Sequence, residues 1–495
     1  MADRGKRLAR LPADPRRGLD TDGHALPDHL QHAATTAGSM TAPTLTPVPP
    51  RAPRTRPEPR TPLLLRPLAS YHLLLGCTVL LLVLGLVMVF SASSLRSFAT
   101  TGSVFSTGIK QGTFIAFGVP LMMVLSRMPV RLFRAAAYPA LLVSLGLLVA
   151  VLFIGNKVNG ATSWIPLPMG FNLQPAELAK LALVLWGADL LVRKQRLLAN
   201  PKHLLVPLLP VAGVVLLLVM LQPDLGTAVA LASIVVALLY VVGTPMRMFG
   251  ALCAFLLTCV GLIAASSPHS MDRLVSFRDP FADAGNTGYQ AVQGFYALSS
   301  GGVFGRGLGA SKEKWSGGLP EAHTDYVFAI IGEELGLLGT LAVLVLFAVL
   351  LYSGIRIAQR ATDPFVRLCS FAITAWLGCQ AVINMGAVVG LLPITGIPLP
   401  LVSFGGSAML VTLAAIGMLL SFARLEPGAA AALRARPSLL GRLRGDTAPA
   451  PRQRTASGAR TGLSARGTDA RSPAGRPNAP RAAGRVPARR PAGRR

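Results

Sequence analysis

The stretch "GLPEAHTDYVFAIIGEELG" (residues 318–336) places acids at the edge of an apolar run. Asp325 stands where the polar part ends, and Glu333 and Glu334 follow inside the run. A carboxylate that is partly shielded from water has a raised pKa and acts as a better base. Asp325 is therefore the candidate catalytic residue. The competing interpretation is a helix cap, since Thr324 and Asp325 both suit a helix start.

Adjacent residues cannot share a helix face, so at most one of Glu333 and Glu334 points directly into a cavity. Of the two, Glu333 is the candidate substrate-binding residue. His323, two residues before the candidate base, is another such candidate on the same side. A lone histidine is not evidence for a metal site.

Glu177 and Lys180 stand three residues apart in "QPAELAKLAL" and share a helix face. They form either an ion pair that holds helices together or a cavity wall that meets a charged substrate. Asp224 in "LQPDLGTA" suits a helix N-cap before Leu225. Asn384 belongs to a polar stripe on an apolar segment, which is typical of hydrogen bonding between helices. All four residues are candidates for substrate binding.

The segment "GRGLGASK" (residues 305–312) resembles a phosphate-binding loop but lacks its Gly-Lys-Ser/Thr ending. Its glycines more simply permit tight backbone turns. No zinc-protease, Cys-pair or serine-hydrolase motif is visible in the sequence.

The composition indicates a membrane protein, since 52% of the 495 residues are hydrophobic and 14% are charged. Soluble domains carry about 25% charged residues. The net charge of +27 is concentrated in two tails, with +5 in residues 1–66 and +14 in residues 424–495. No aromatic residues interleave with the C-terminal arginines, which disfavours nucleic-acid binding. Basic tails suit the anionic inner leaflet instead.

Three regions are predicted: a disordered basic tail (1–66), a membrane domain (67–424) and a disordered tail rich in Arg, Pro and Ala (425–495). We predict an all-α fold with ten transmembrane segments. Basic residues in alternate loops place both tails in the cytoplasm and one long loop, 268–326, outside. The predicted segments are 72–93, 110–127, 136–155, 176–193, 204–221, 226–243, 248–267, 327–352, 366–390 and 405–423.

Several motifs together resemble the SEDS family (shape, elongation, division and sporulation), most closely its cell-division branch, FtsW. They are "NGATSWIPLPMGFNLQPAELAKLAL", "LQPDLGTA", "GYQAVQGFYALSSGGVFGRGLG", "LPEAHTDYVFAIIGEELG" and "NMGAVVGLLPITGIPLPLVSFGGSAML". Their order matches the family over most of residues 70–423.

The resemblance implies a peptidoglycan glycosyltransferase that polymerises lipid II, a disaccharide-pentapeptide on undecaprenyl pyrophosphate. It assigns the essential acid to Asp325 and the paired residues to Glu177 and Lys180. The family's outer-loop tryptophan falls on Trp164, preceded here by Ser163 where relatives commonly have Arg. Ser403, in the last motif, is a further candidate for substrate binding.

The leaving pyrophosphate requires positive charge. A divalent cation, Mg²⁺ or Mn²⁺, is an alternative source of that charge, whereas a nucleotide is not expected. Relief of the Glu177–Lys180 pairing would free Lys180 for this role. The basic candidates are Lys157, Lys180, Arg273, Arg306, Lys312 and Lys314.

The resemblance also implies a class B penicillin-binding transpeptidase as partner, besides other division proteins, at the septum of the bacterial plasma membrane. Two alternative functions remain at this point: a lipid II flippase and a scaffold that recruits division proteins. Transporters share many helices and buried charges. A transporter would place acidic residues deep in the helix bundle, whereas the charged candidate residues of this chain lie at its outer edge.

Overall fold

The computed structural model describes residues 68–158, 161–167, 171–195, 201–251, 253–254, 258, 261, 271, 276–315 and 318–429. The predicted tail 1–66 lies outside these residues, and the predicted tail 425–495 is described only as far as 429. The long outer loop, 268–326, is described in part.

The described residues are mainly helical, which confirms the predicted all-α membrane fold. In the described part of the chain, seven helices are long and apolar enough to cross a membrane. The number ten stays a prediction, because the segment 248–267 lies mostly outside the described residues. The helices are α1 (Ala69–Thr101), α2 (Ser106–Leu125), α3 (Val130–Ile154), α4 (Pro175–Arg193), α5 (Pro201–Met220), α6 (Leu225–Val242), α7 (Tyr289–Gly301), α8 (Val327–Arg360), α9 (Pro364–Val388) and α10 (Gly406–Ala423).

Helices α4, α6, α9 and α10 form the centre of the bundle and bury most of their side chains. Helix α9 packs against α4, α6 and α8, and α10 packs against α2. Helices α2 and α3 lie at the periphery and expose large apolar side chains such as Phe117 and Leu142. Apolar exposure of this kind is expected where a helix faces lipid. The chain is therefore a multi-pass membrane protein.

A small antiparallel sheet between α3 and α4 departs from the all-α prediction. Its strands are β1 (Asn156–Val158), β2 (Ala161–Leu167) and β3 (Phe171–Leu173), in the order β1-β2-β3. Asn156 pairs with Trp164, and Ile165 pairs with Leu173. These strands are too short for a clear alternating pattern of apolar and polar residues in the sequence.

Helix α8 is broken at Gly336, whose backbone is left-handed and non-helical (φ 69°, ψ −163°). The upper segment (327–335) is almost wholly buried in protein. The lower segment (337–360) exposes Leu337, Leu338 and Leu341 and therefore faces lipid. The predicted segment 327–352 lies within α8, which is long and apolar enough to span a membrane. The break at Gly336 places Glu333 and Glu334 at the end of the buried upper segment, next to the lipid-facing part.

Two glycines let the outer loop touch the backbone of the upper segment. A Cβ added to Gly301 would meet the carbonyl oxygen of Gly332 at 1.9 Å. A Cβ added to Gly305 would meet the carbonyl oxygen of Glu334 at 2.2 Å. The side chains of 333 and 334 are consequently held against the loop by close backbone packing.

We predict that Gly301→Ala destabilises the protein by about 1–3 kcal/mol, because backbone must move to accommodate the methyl group. The control is Gly76→Ala on α1, where an added Cβ has no atom within 4 Å. The control should be neutral or slightly stabilising, since Ala is the better helix former. Thermal unfolding of the detergent-purified variants measures both effects. Equal midpoints for the two variants would contradict the close approach.

Candidate active site

Asp325 lies between the outer loop and α8, with a half-buried side chain. Its Oδ1 accepts a hydrogen bond from the Thr324 hydroxyl at 3.3 Å and a long one from the Gln290 amide at 3.5 Å. The N-cap residue of α8 is Tyr326, and no side chain caps this helix end. The helix-cap interpretation of Asp325 is therefore wrong.

Asn384 on α9 fixes the backbone beside this carboxylate. Its amide nitrogen donates to the carbonyl oxygens of Asp325 at 2.7 Å and of Ile397 at 2.8 Å. The side chain is buried. The predicted hydrogen bonding between segments is confirmed, and it joins α9 to the start of α8 and to the connection before α10. A direct contact between Asn384 and substrate stays a prediction.

Arg96 and Glu321 form an ion pair next to the candidate base that sequence reasoning missed. Arg96 Nη1 lies 3.0 Å from Glu321 Oε1, and the Thr324 hydroxyl donates to Glu321 Oε2 at 2.9 Å. Burial raises the pKa of Glu321, but Arg96 and Thr324 outweigh it, and the pKa is lowered. No local signal in the sequence reveals this pair, because its partners are 225 residues apart.

His323 packs inward rather than toward solvent. Its ring lies 5.7 Å from that of Phe404, and its carbonyl oxygen accepts from the Phe404 N–H at 2.9 Å. Burial lowers the pKa of His323 to about 4. The ring is therefore neutral at pH 7, which argues against a positively charged contact with phosphate. A polar contact with substrate stays a prediction.

Glu177 and Lys180 form an ion pair with an N–O distance of 2.8 Å and side chains that are 3% and 0% exposed. The Lys180 ammonium also lies 4.9 Å from the centre of the Trp376 ring and donates to Gln380 at 3.4 Å. Gln380 stands one turn before Asn384 on α9. These contacts favour the interpretation of a pair that holds α4 against α9. Substrate contact stays a prediction for both residues.

Asp224 and Ser403 are engaged in internal contacts. Asp224 is the N-cap of α6, as predicted, and accepts from the Thr227 N–H at 3.0 Å. Ser403 accepts from the Leu399 N–H at 2.9 Å. Both residues shape the outer ends of helices, and neither contact requires a substrate.

Trp164 and Lys157 lie on the small sheet, Trp164 half-buried in β2 and Lys157 in β1. The side chain of Lys157 lies outside the described part of the structure. Ser163, where relatives commonly have Arg, is buried and donates to the Gln222 carbonyl oxygen at 3.4 Å. Substrate binding by Trp164 and Lys157 stays a prediction.

Three basic residues of the outer loop differ in what they contact. Arg306 lies 3.8 Å from Glu333, and Lys314 lies 3.3 Å from Glu334. Lys312 has an exposed side chain. The further candidate Arg273 lies outside the described residues.

A cavity of about 200 Å³ is lined by residues of the outer loop, α7, the end of α9 and the segment that follows α9. Among its lining residues are Phe281, Phe295 and Ala387. The mostly apolar lining can accept a hydrocarbon group.

Mg²⁺ usually keeps several waters and is held by one or two carboxylates together with the phosphates of a substrate. Within the described ranges, no three His, Cys, Asp or Glu side chains gather closely enough to hold a metal ion. The described residues do not by themselves form a cage for Mg²⁺ or Mn²⁺. The cation stays a prediction, and no step below passes through it.

The pKa of His323 predicts how acid affects stability. The unfolded histidine binds a proton near pH 6.5, whereas the folded one does so at about 4. The unfolded chain therefore binds more protons between these values, and stability falls as the pH decreases from about 6.5 to 4. We predict that His323→Gln removes part of this loss, by a few degrees in Tm. Parallel Tm curves for the variant and the original chain would contradict the neutral buried ring.

We also predict that Lys180→Ala destabilises the protein by about 3–5 kcal/mol, because Glu177 is left buried and unpaired. The double variant Glu177→Gln/Lys180→Met removes both charges and should recover most of the folded protein and its activity. Detergent-solubilised yield, Tm and polymerisation rate are the measurements. A folded but inactive double variant would show that the pair takes part in the reaction.

A family model described as "Cell cycle protein", for FtsW, RodA and SpoVE, matches residues 71–426. The probable peptidoglycan glycosyltransferase FtsW of Mycobacterium tuberculosis is 43% identical over 372 residues, covering 75% of this chain and 71% of the relative. The relative of the same name from Geobacter metallireducens is 38% identical over 360 residues, covering 72% of this chain and 96% of that protein.

Two solved structures share the fold. A peptidoglycan synthase complex that coordinates polymerization and crosslinking has a chain 29% identical to this one, with a TM-score of 0.59, covering 71% of this chain and 96% of its own. The rod shape determining protein RodA of Thermus thermophilus is 28% identical, with a TM-score of 0.53, covering 72% and 96%. The relatives' names confirm the predicted peptidoglycan glycosyltransferase. The chain belongs to the FtsW, RodA and SpoVE family of cell cycle proteins.

Proposed function

We propose that this membrane glycosyltransferase polymerises lipid II, with Asp325 as the general base on the 4-hydroxyl of the acceptor. The observation that carries the proposal is the half-buried carboxylate of Asp325 at the outer start of α8. Asn384 holds its backbone in place. Partial removal from water makes a carboxylate a stronger base, and a fixed position keeps it within reach of the hydroxyl proton.

The reaction transfers a glycosyl group with balanced bonds and charges. The oxygen of the acceptor 4-hydroxyl forms a bond to the anomeric carbon of the growing strand, with inversion. The bond between that carbon and the pyrophosphate oxygen breaks, and its electron pair leaves with undecaprenyl pyrophosphate. The hydroxyl proton passes to Asp325. No nucleotide is required, because the pyrophosphate linkage is already activated.

Lipid II has polar sugars, a pyrophosphate and a hydrocarbon chain, so its site must open to both water and lipid. Asp325 lies on the outer side of the Gly336 break, while the lower segment of α8 faces lipid. The apolar cavity near Ala387 suits the hydrocarbon part next to the pyrophosphate. These features support a substrate that lies across the membrane boundary.

The proposed partner is a class B penicillin-binding transpeptidase, which would cross-link the glycan strands. A structural relative belongs to a complex that couples polymerization with crosslinking, and this supports the proposal. Other division proteins, a septal location and cytoplasmic termini are parts of the same proposal. The basic residues between the predicted spans support the orientation.

We predict that Asp325→Asn lowers the polymerisation rate by about 10²–10⁴-fold, the usual contribution of a general base. The shape of the side chain is kept, so the variant should fold normally. The control is Asp279→Asn, an exposed outer-loop aspartate that accepts from the Phe281 N–H. The assay follows purified lipid II, with and without the transpeptidase and added Mg²⁺ or Mn²⁺. Near-normal glycan synthesis by Asp325→Asn would remove this residue from the base role.

A further inference from the structure

The glycine-rich outer segment 301–315, here called the clamp loop, lies directly on the upper segment of α8. The Arg306 N–H donates to the Glu333 carbonyl oxygen at 2.9 Å, and the Gly307 N–H donates to that of Glu334 at 3.0 Å. The Leu337 N–H donates in return to the Gly302 carbonyl oxygen at 3.0 Å. Backbone contacts in both directions fix the position of the clamp loop.

The carboxylate of Glu333 fills the part of the clamp loop that resembles a phosphate-binding loop. Glu333 is 0% exposed. Its Oε2 accepts from the Ser311 hydroxyl at 2.5 Å, and its Oε1 accepts from the Lys312 N–H at 2.7 Å. Arg306 Nη1 lies 3.8 Å away. The anion that this loop holds is therefore part of the same chain, and it fixes the backbone of Lys312.

Glu334 forms an ion pair with a second lysine of the clamp loop, Lys314. The Lys314 ammonium lies 3.3 Å from Glu334 and donates to the Gly309 carbonyl oxygen at 2.5 Å, with 6% of its side chain exposed. Ser91 on α1 donates to both oxygens of Glu334, at 2.6 and 2.8 Å. Lys314 is thus held inside the protein, where it neutralises an acid.

Lys312 differs from Lys314 in that its side chain is exposed. Its backbone N–H is held by Glu333, while its side chain is exposed. Among the described residues its ammonium has no ion-pair partner within 4.0 Å. A fixed backbone with a free ammonium is what an anion-binding lysine needs.

The depth of this lysine matches that of a lipid-linked pyrophosphate. The lipid-facing part of α8 begins at Leu337, close to Glu333. Asp325 stands eight residues before Glu333, just ahead of the start of α8 at Val327. A pyrophosphate joins the sugar to the hydrocarbon chain, so it lies at the boundary while the sugar extends outward.

We propose that Lys312 binds the pyrophosphate of the lipid-linked donor and that Glu333 is the positioning residue that holds it there. The inference rests on the proposed function above. As the bond to the anomeric carbon breaks, negative charge grows on the pyrophosphate. The ammonium donates hydrogen bonds to the non-bridging oxygens and keeps its protons.

The test compares Lys312→Ala and Lys312→Arg with the control Lys110→Ala. Lys110 is also exposed on the outer side and has no ion pair among the described residues. Added undecaprenyl pyrophosphate inhibits as product, and its inhibition constant reports pyrophosphate binding. We expect Lys312→Ala to raise this constant and the KM for lipid II about tenfold or more. Lys312→Arg should recover part of the affinity, and Lys110→Ala should match the original chain.

The role of Glu333 is tested by a double-mutant cycle. Glu333→Gln should weaken inhibition in the same direction as Lys312→Ala, with little further change when the two are combined. Tm values of all variants show whether each is folded. Additive effects would mean that Glu333 acts on the fold and not through Lys312.

The outcomes separate the inference from the proposed function. Unchanged KM and product inhibition in folded Lys312→Ala would overturn the inference, provided that the original chain polymerises lipid II and Asp325→Asn does not. Normal polymerisation by Asp325→Asn would overturn the proposed base instead, whatever the result at Lys312.

Discussion

Asn384 donates its amide hydrogens to two backbone carbonyls, those of Asp325 and Ile397, and this joins irregular segments to a buried helix. The same requirement recurs across the outer half of the protein. Irregular backbone near a membrane must find partners inside the protein, because lipid offers none. The Glu333 carboxylate accepts from the backbone N–H of Lys312, and the Ser403 hydroxyl accepts from that of Leu399. The proposed active site can contain irregular backbone because buried polar side chains hold that backbone in place.

Burial sorts the acids of the outer half into two groups. Glu177, Glu333 and Glu334 are buried and each has a cation nearby. A buried carboxylate without a cationic partner would destabilise the fold, so these three acids serve as ion-pair partners inside the protein. Asp325 is only half-buried, and its contacts include the Thr324 hydroxyl and the Gln290 amide. Of these four acids it is the one that is not fully buried.

The break at Gly336 divides α8 into a segment enclosed by protein and a segment that faces lipid. Above it, the helix is enclosed by the clamp loop and α7, and below it the helix faces lipid. A substrate with a sugar head and a hydrocarbon chain also has one part in water and one part in lipid. The left-handed backbone of Gly336 also brings the clamp loop within hydrogen-bonding distance, since a Cβ at this position would meet Gly305 N at 2.3 Å.

The sequence by itself determined the membrane class, the bounds of six helices to within four residues, the cap at Asp224 and the family motifs. Hydrophobic runs and local caps depend on neighbours along the chain, so a sequence reveals them. Only the tertiary structure decided which acids are enclosed, that Asp325 does not cap α8, and that three short strands precede α4. It also paired Ser91 with Glu334 across 243 residues. Contacts between distant segments depend on packing geometry, on which a single sequence carries no local signal.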